Sequence, residues 1–457
     1  MEINFERKAY RELLKWKQES KGTSAILVEG ARRVGKTTLI KKFSKKEYRT
    51  AIYIDFNKAS KDTKKLFDDL SDLNYIFLQL QLRFHTDLYP RESCIVFDEI
   101  QKCPRAREAI KYLVEDGRYD YIESGSLVSI RKNVEGITIP SEEDSLALNP
   151  LDYEEFRWAL GDKTSIPLLR ESFAKQKGLG DETNRQLIRD LRLYLLVGGM
   201  PQAVLAYLKT NNFKEVDSAK RKIIRLYIKD FHKMDPSGRA EALFLATPGE
   251  LAKNASRFQI NPVLSGQRRE TIDPIIGDME NSKVVRLAYH ANDPSVGMSL
   301  SKDSSHYKMF LSDTGLFVTL CFWDKRYTEN IIYEKILADA LPANLGYVYE
   351  NLVAQILETG GDFLFYYTFS KAGTSKLREI DFLLSRGAKI VPLEVKSSDY
   401  KSHISLDEFS EKFSSRIGQK YVIYSKDFRK ERDICYLPFY DVLFLSEGQN
   451  QKDGNTH

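Results

Sequence analysis

Two hydrophobic rhythms alternate along the first part of the chain. Short apolar runs at 24–29, 50–56, 92–99 and 119–126 have the length and β-branched content of buried strands. Between them the apolar residues recur at helical spacing. Tyr10, Leu13, Leu14 and Trp16 mark a helix over 7–17, and further helical patterns cover 39–43, 61–82 and 107–113. Strands that alternate with helices predict a parallel sheet covered on both faces.

Beyond residue 185 the rhythm is helical as far as 235, broken at Gly198-Gly199 and Pro201. Thr247-Pro248-Gly249-Glu250 reads as a helix start, with a capping hydroxyl, a first-turn proline and a glutamate at the third position. Thr271 reads as the cap of a second helix, with Pro274 in its first turn and Ile272, Ile275, Ile276 and Met279 as its apolar stripe. The run 284–289 follows as a strand. This order resembles a winged helix, in which Gln267, Arg268 and Arg269 would face a DNA groove or the module would act as a spacer. Two further strands are predicted at 379–384 and 390–396.

Composition narrows the class. At 457 residues the chain exceeds one core, and 42% hydrophobic with 30% charged residues is ordinary for a globular protein. A net charge of +5 implies no nucleic-acid partner by itself. The basic face of Ser218, Lys220, Arg221, Lys222 and Arg225 fits a solvated helix as well as a nucleic-acid patch. Cys94, Cys103, Cys321 and Cys435 lack metal-like spacing, which predicts free thiols and a cytoplasmic setting. The charged N-terminus predicts no signal peptide, and no apolar run reaches membrane-spanning length.

The first candidate chemistry lies at Gly30-Ala31-Arg32-Arg33-Val34-Gly35-Lys36-Thr37-Thr38. Two glycines enclosing four residues, then Lys-Thr, between a strand and a helix, form a phosphate-binding loop. Glycine lets the backbone curl so that its N–H groups meet phosphate oxygens, and the helix N-terminus adds positive potential. Lys36 is placed for the β- and γ-phosphates and Thr37 for Mg²⁺. The strand at 92–99 ends in Asp98 and Glu99. Asp98 would bind Mg²⁺, and Glu99 would polarise the attacking water. Ser124, with Ser126 as the alternative, is the candidate γ-phosphate sensor or else a turn serine. ATP and Mg²⁺ are the expected cofactors.

Residues Phe97-Asp98-Glu99-Ile100-Gln101, Ser124-Gly125-Ser126, 149–156, 194–201 and 308–316 together resemble a prokaryotic family of AAA-superfamily P-loop ATPases. The resemblance spans nearly the whole chain and implies ATP hydrolysis, with a C-terminal domain of poorly defined function. Many relatives carry a Gly-Arg pair where this chain reads Asp144-Ser145-Leu146-Ala147-Leu148, so no arginine finger is assigned.

The second candidate chemistry is C-terminal. Residues two apart on a strand share a face, so Glu394 and Lys396 point together, and Asp381 joins them if the strands pair. Two carboxylates and a lysine suit Mg²⁺-dependent phosphodiester cleavage. The set resembles the restriction-endonuclease-like fold, with Glu350 on an upstream helix as a further acid.

The expected class is α/β: a P-loop ATPase domain at 1–165, a helical lid at 166–235, a winged-helix-like domain at 236–300 and a restriction-endonuclease-like domain at 301–457. The expected activity is an ATP-driven switch. Its alternatives are an ATP-gated nuclease and a non-catalytic scaffold that locks on ATP. DNA or another protein is the expected partner, and oligomer formation stays open.

Overall fold

The computed structural model describes residues 5–125, 141–253, 256–340, 346–370, 377–398 and 400–450. The chain divides into two compact units, Met1–Leu151 with Asn281–Lys283, and Asp152–Glu280 with Val284–His457.

The first unit is built on five strands, β1 (Ala25–Glu29), β2 (Thr50–Asp55), β3 (Ser93–Asp98), β4 (Asp120–Gly125) and β5 (Glu143–Ala147). All pair in parallel in the order β2-β3-β4-β1-β5. Every residue of β3 and β4 is buried, as a parallel sheet covered on both faces requires. One face is filled by Leu27, Ile54, Ile95 and Phe97 against Phe77 and Leu80 of the helix Leu73–Phe84 and Ala109 and Ile110 of the helix Pro104–Asp116. The helix expected over 61–82 is two helices. Ser60 caps Lys61–Lys65 through the Thr63 N–H, and Asp72 caps Leu73–Phe84 through the Tyr75 N–H. A buried charge network is also present: Arg107 donates to Glu123 on β4 at 2.9 Å and reaches Glu143 on β5 at 2.8 Å.

The second unit joins helices to an eight-stranded mixed sheet. Its strands are β6 (Val285–Ala291), β7 (Lys302–Leu311), β8 (Phe365–Ser370), β9 (Leu377–Arg386), β10 (Lys389–Val395), β11 (Lys420–Tyr424), β12 (Arg429–Glu431) and β13 (Ile434–Pro438), in the order β12-β13-β11-β10-β9-β8-β6-β7.

This arrangement does not confirm the winged-helix expectation. The strand expected as a wing is β6, and it pairs with β7 and β8 in the same sheet as the C-terminal strands. Neither threonine caps its helix. The helix Arg239–Ala252 starts after Gly238, where Asp235 accepts from the Arg239 and Ala240 N–H groups at 2.9 and 3.1 Å. Thr247 lies inside it and donates to the Leu243 carbonyl at 3.1 Å. Likewise Arg269–Asn281 begins two residues before Thr271, which leaves Pro274 inside the helix. The apolar stripe of Ile272, Ile275, Ile276 and Met279 is buried as expected. A local cap signature cannot tell a first turn from a later one when an earlier acid already meets the free amides.

Among the described residues no single helix is long and apolar enough to cross a membrane, although the bent pair Asp181–Val197 and Pro201–Thr210 reaches that length and composition together. Cys94, Cys103, Cys321 and Cys435 are free thiols.

Burial, reinforced by Asp427, pushes the Asp441 carboxyl up to about 8. An unfolded aspartate ionises near pH 4, so between about pH 4 and the folded value the native state holds a proton that the unfolded state releases. Stability should therefore fall as pH rises through that window. Urea midpoints of the second unit should drop between pH 5 and pH 8, and Asp441→Asn should flatten that dependence. Identical slopes for the two proteins would refute the assignment.

Candidate functional site

The residues expected to bind nucleotide gather at the C-terminal edge of the parallel sheet, where β1, β3 and β4 end side by side. Val28 pairs with Ser124, Glu29 with Gly125, and Phe97 with Glu123, so Asp98 lies beside Ser124. The loop that leaves β1 turns at Gly30 with φ of 150°, where a Cβ would stand 2.2 Å from the Leu148 carbonyl oxygen. It ends at Gly35, φ 103°, which precedes the helix Lys36–Glu47. Only glycine tolerates both positions. Ala31 and Val34 are buried and anchor the loop, whereas Arg32, Arg33 and Thr38 face solvent. Arg7 braces it from below, donating to the Val34 carbonyl at 2.9 Å and the Asn149 carbonyl at 2.6 Å.

Lys36 folds back over its own loop, donating to the Gly30 and Ala31 carbonyls at 2.8 and 3.0 Å. Burial pushes its ammonium below the usual lysine value, against the pull of Glu99 and Asp98. Asp98 is the hub of the site. It accepts from Thr37 at 3.1 Å on one oxygen, from Tyr53 on the same oxygen, and from Ser124 on the other. Burial and the bond to Asp98 raise the Tyr53 phenol, which keeps it a donor. A hydroxyl and a carboxylate at that separation are hard oxygen donors of the kind Mg²⁺ takes, so Thr37 and Asp98 fit the metal. Glu99 departs from strand geometry with φ of 57°, and Gln101 Nε2 donates to its Oε2 at 2.7 Å.

Lys36, Thr37, Asp98, Glu99 and Ser124 thus converge, while Ser126 lies outside the described residues. Sequence reasoning missed Tyr53, Gln101 and Arg7. Gln101 was within reach as a Glu-x-Gln spacing. Tyr53 required the pairing of β2 with β3, in which Asp55 stands opposite Asp98.

In the second unit the expected acid set divides. Carboxylate oxygens of Glu350, Glu379 and Asp381 lie within 4.8 Å of one another. Glu350 comes from the helix Gly346–Thr359, and Glu379 and Asp381 from β9. Glu394 stands outside that group and pairs with Lys396 at 2.7 Å. Its Oε2 is buried with no hydrogen-bond partner among the described residues. Asp381 accepts from the Val395 N–H at 2.7 Å. The unforeseen member is Lys308 on β7, which donates to Glu350 at 2.7 Å and Glu379 at 2.5 Å. Burial works to lower the Lys308 pKa, but Glu350 and Glu379 outweigh it and hold the ammonium well above its ordinary value. Burial first, and then Glu350, push Asp381 well above the carboxylate range.

Comparisons with known proteins match three stretches of the chain. Residues 22–157 match the family model described as AAA domain. Residues 188–327 and 345–441 match two models described as Domain of unknown function (DUF8612) and Domain of unknown function (DUF4143). No curated protein matches the chain by sequence. Solved structures similar to it include the Aeropyrum pernix ORC1 protein in complex with DNA, at 13% identity and a TM-score of 0.27, covering 74% of this chain and 94% of that one. AMPPCP-bound DnaA from Aquifex aeolicus is similar at 14% identity and a TM-score of 0.28, covering 61% and 90%. Both overlaps are loose. Residues 22–157 thus match an AAA-domain model and carry a strand–loop–helix of phosphate-loop geometry.

Proposed function

We propose that the chain is a Mg²⁺-dependent, ATP-hydrolysing switch whose nucleotide state is passed to its second unit. The observation that carries this reading is the gathering of Thr37, Tyr53 and Ser124 around Asp98, beside a glycine-bounded loop whose lysine donates to the Gly30 and Ala31 carbonyls. Bound Mg²⁺ would supply positive charge against the triphosphate, held by Thr37 and Asp98. On nucleotide binding, Lys36 exchanges the Gly30 and Ala31 carbonyls for the β- and γ-phosphate oxygens. The loop amides from Ala31 to Thr38 and the N-terminus of Lys36–Glu47 offset the remaining charge. Glu99 takes the proton of the attacking water, and Ser124 reads whether the γ-phosphate is present.

The second unit then recognises a partner, DNA or another protein, in a nucleotide-dependent way, and the free thiols suit a reducing cytoplasm. Isothermal titration of the full chain with ATP, GTP and AMPPCP tests the core of the reading. Lys36→Ala should weaken ATP binding by roughly 100-fold or more, because a charge-assisted contact to phosphate is lost within a buried site. Wild-type protein that ignores both ATP and GTP at millimolar Mg²⁺ would overturn the assignment.

A further inference from the structure

Three carboxylates from a helix and a neighbouring strand form the donor set that hard divalent cations take. In this chain that cup already holds a cation. Lys308 is only 6% exposed, and its Nζ lies against Glu350 Oε1 at 2.7 Å and Glu379 Oε1 at 2.5 Å. The ring of Tyr366 closes one side, with its centroid 5.6 Å from the ammonium. The third acid, Asp381, is engaged by the Val395 amide. The adjoining acid is occupied in the same way, since Lys396 sits on Glu394 at 2.7 Å.

We propose that Lys308 is the resident counter-ion of the Glu350–Glu379–Asp381 cup, standing where a divalent metal would have to sit, so that this part of the chain performs no metal-dependent cleavage.

A dication entering the cup must displace the ammonium, yet the lysine is buried along its stem and fixed by the pairing of β7 with β6, Lys308 opposite Ala288. The displaced charge would remain in a poorly solvated site next to the metal, where like charges repel strongly. A mobile surface lysine would simply swing into water. The cup therefore does not fit Mg²⁺ as it stands, although its oxygens would fit once the lysine is gone. That is a built ion cluster with a side-chain cation, and it favours recognition over hydrolysis for the second unit. The inference is independent of nucleotide binding, because its test reads metal alone.

Mn²⁺ is titrated, without nucleotide, into the full-length wild type, Lys308→Met, and Lys308→Met combined with Asp381→Asn, following free Mn²⁺ by electron paramagnetic resonance. The wild type should show no Mn²⁺ site that Asp381→Asn alone removes. Lys308→Met should gain one site at least tenfold tighter than any in the wild type, and the added Asp381→Asn should abolish it. A folded Lys308→Met protein that gains no site overturns the proposal. If circular dichroism shows that Lys308→Met does not fold, wild type and Asp381→Asn decide the matter: matching isotherms support it, and a site lost on Asp381→Asn overturns it. Labelled duplex and single-stranded DNA incubated with Mg²⁺ or Mn²⁺ should stay intact with the wild type. Cleavage that disappears with Asp381→Ala would also refute it.

Discussion

Glu99→Gln should bind ATP about as tightly as the wild type and hydrolyse it roughly 100- to 10,000-fold more slowly, the range expected when a positioned general base is removed. The side chain keeps its length and shape, and its oxygen still accepts from Gln101 Nε2, which lies 2.7 Å from Glu99 Oε2. What disappears is the ability to take a proton from water. Asp98, Thr37 and Lys36 are untouched, so binding survives. Glu99 takes a left-handed φ of 57°, which costs a non-glycine residue of order 1 kcal/mol. That turn ends β3 at Asp98 and makes Glu99 the first residue outside it, before the short helical turn Ile100–Lys102. Single-turnover hydrolysis and retention of labelled ATP on a filter would read the two effects separately. Normal turnover by Glu99→Gln would remove Glu99 from the role.

The nucleotide site was legible because its parts are local. Residues 30–38 state the loop within nine positions, and Asp98 and Glu99 close a strand whose buried length is plain from its apolar run. Ser124 follows from the same logic on β4. Tyr53 and Arg7 were hidden for one reason: their partners lie 45 and 27 residues away, and only the parallel pairing and the packing of the N-terminal segment bring them in. Neither has a signature of its own.

The C-terminal acids show the limit of face arithmetic. Alternation along a strand correctly puts Glu394 with Lys396, and it would equally have put Glu379 with Asp381. It cannot say which strands stand near which. Lys308 belongs to β7, which is separated from β9 in the sheet by β6 and β8, so its place among these acids depends on topology alone. That one lysine changes the chemistry read from the motif.

Gly315→Ala should destabilise the second unit by roughly 3 kcal/mol or more, at or above the upper end of ordinary overpacking. A Cβ at residue 315 would stand 2.5 Å from the Val197 carbonyl oxygen and 2.6 Å from Gly198 Cα and N. All three are backbone atoms, so no rotamer change relieves the clash and the two segments must separate. Their separation would break more than van der Waals contact. Gly198, φ 79°, ends the helix Asp181–Val197, and a side chain there would in turn strike Asp313. Asp313 is buried and accepts from the Gly199 N–H at 2.6 Å and the Leu316 N–H at 2.8 Å, tying one helix end to the start of Thr314–Cys321. Lys220 donates to the Leu196 carbonyl at 2.6 Å, with burial holding its pKa down to about 8. The Gly198-Gly199 and Asp313-Thr314-Gly315 segments are thus two halves of one joint, which is a physical reason for both to carry glycine. Trp158 and Trp323 lie in the second unit and Trp16 in the first, so urea denaturation in a Trp16→Phe background reports on the second unit alone. A loss below about 1 kcal/mol would show that the joint opens without strain and that the close approach at Gly315 is not what holds it together.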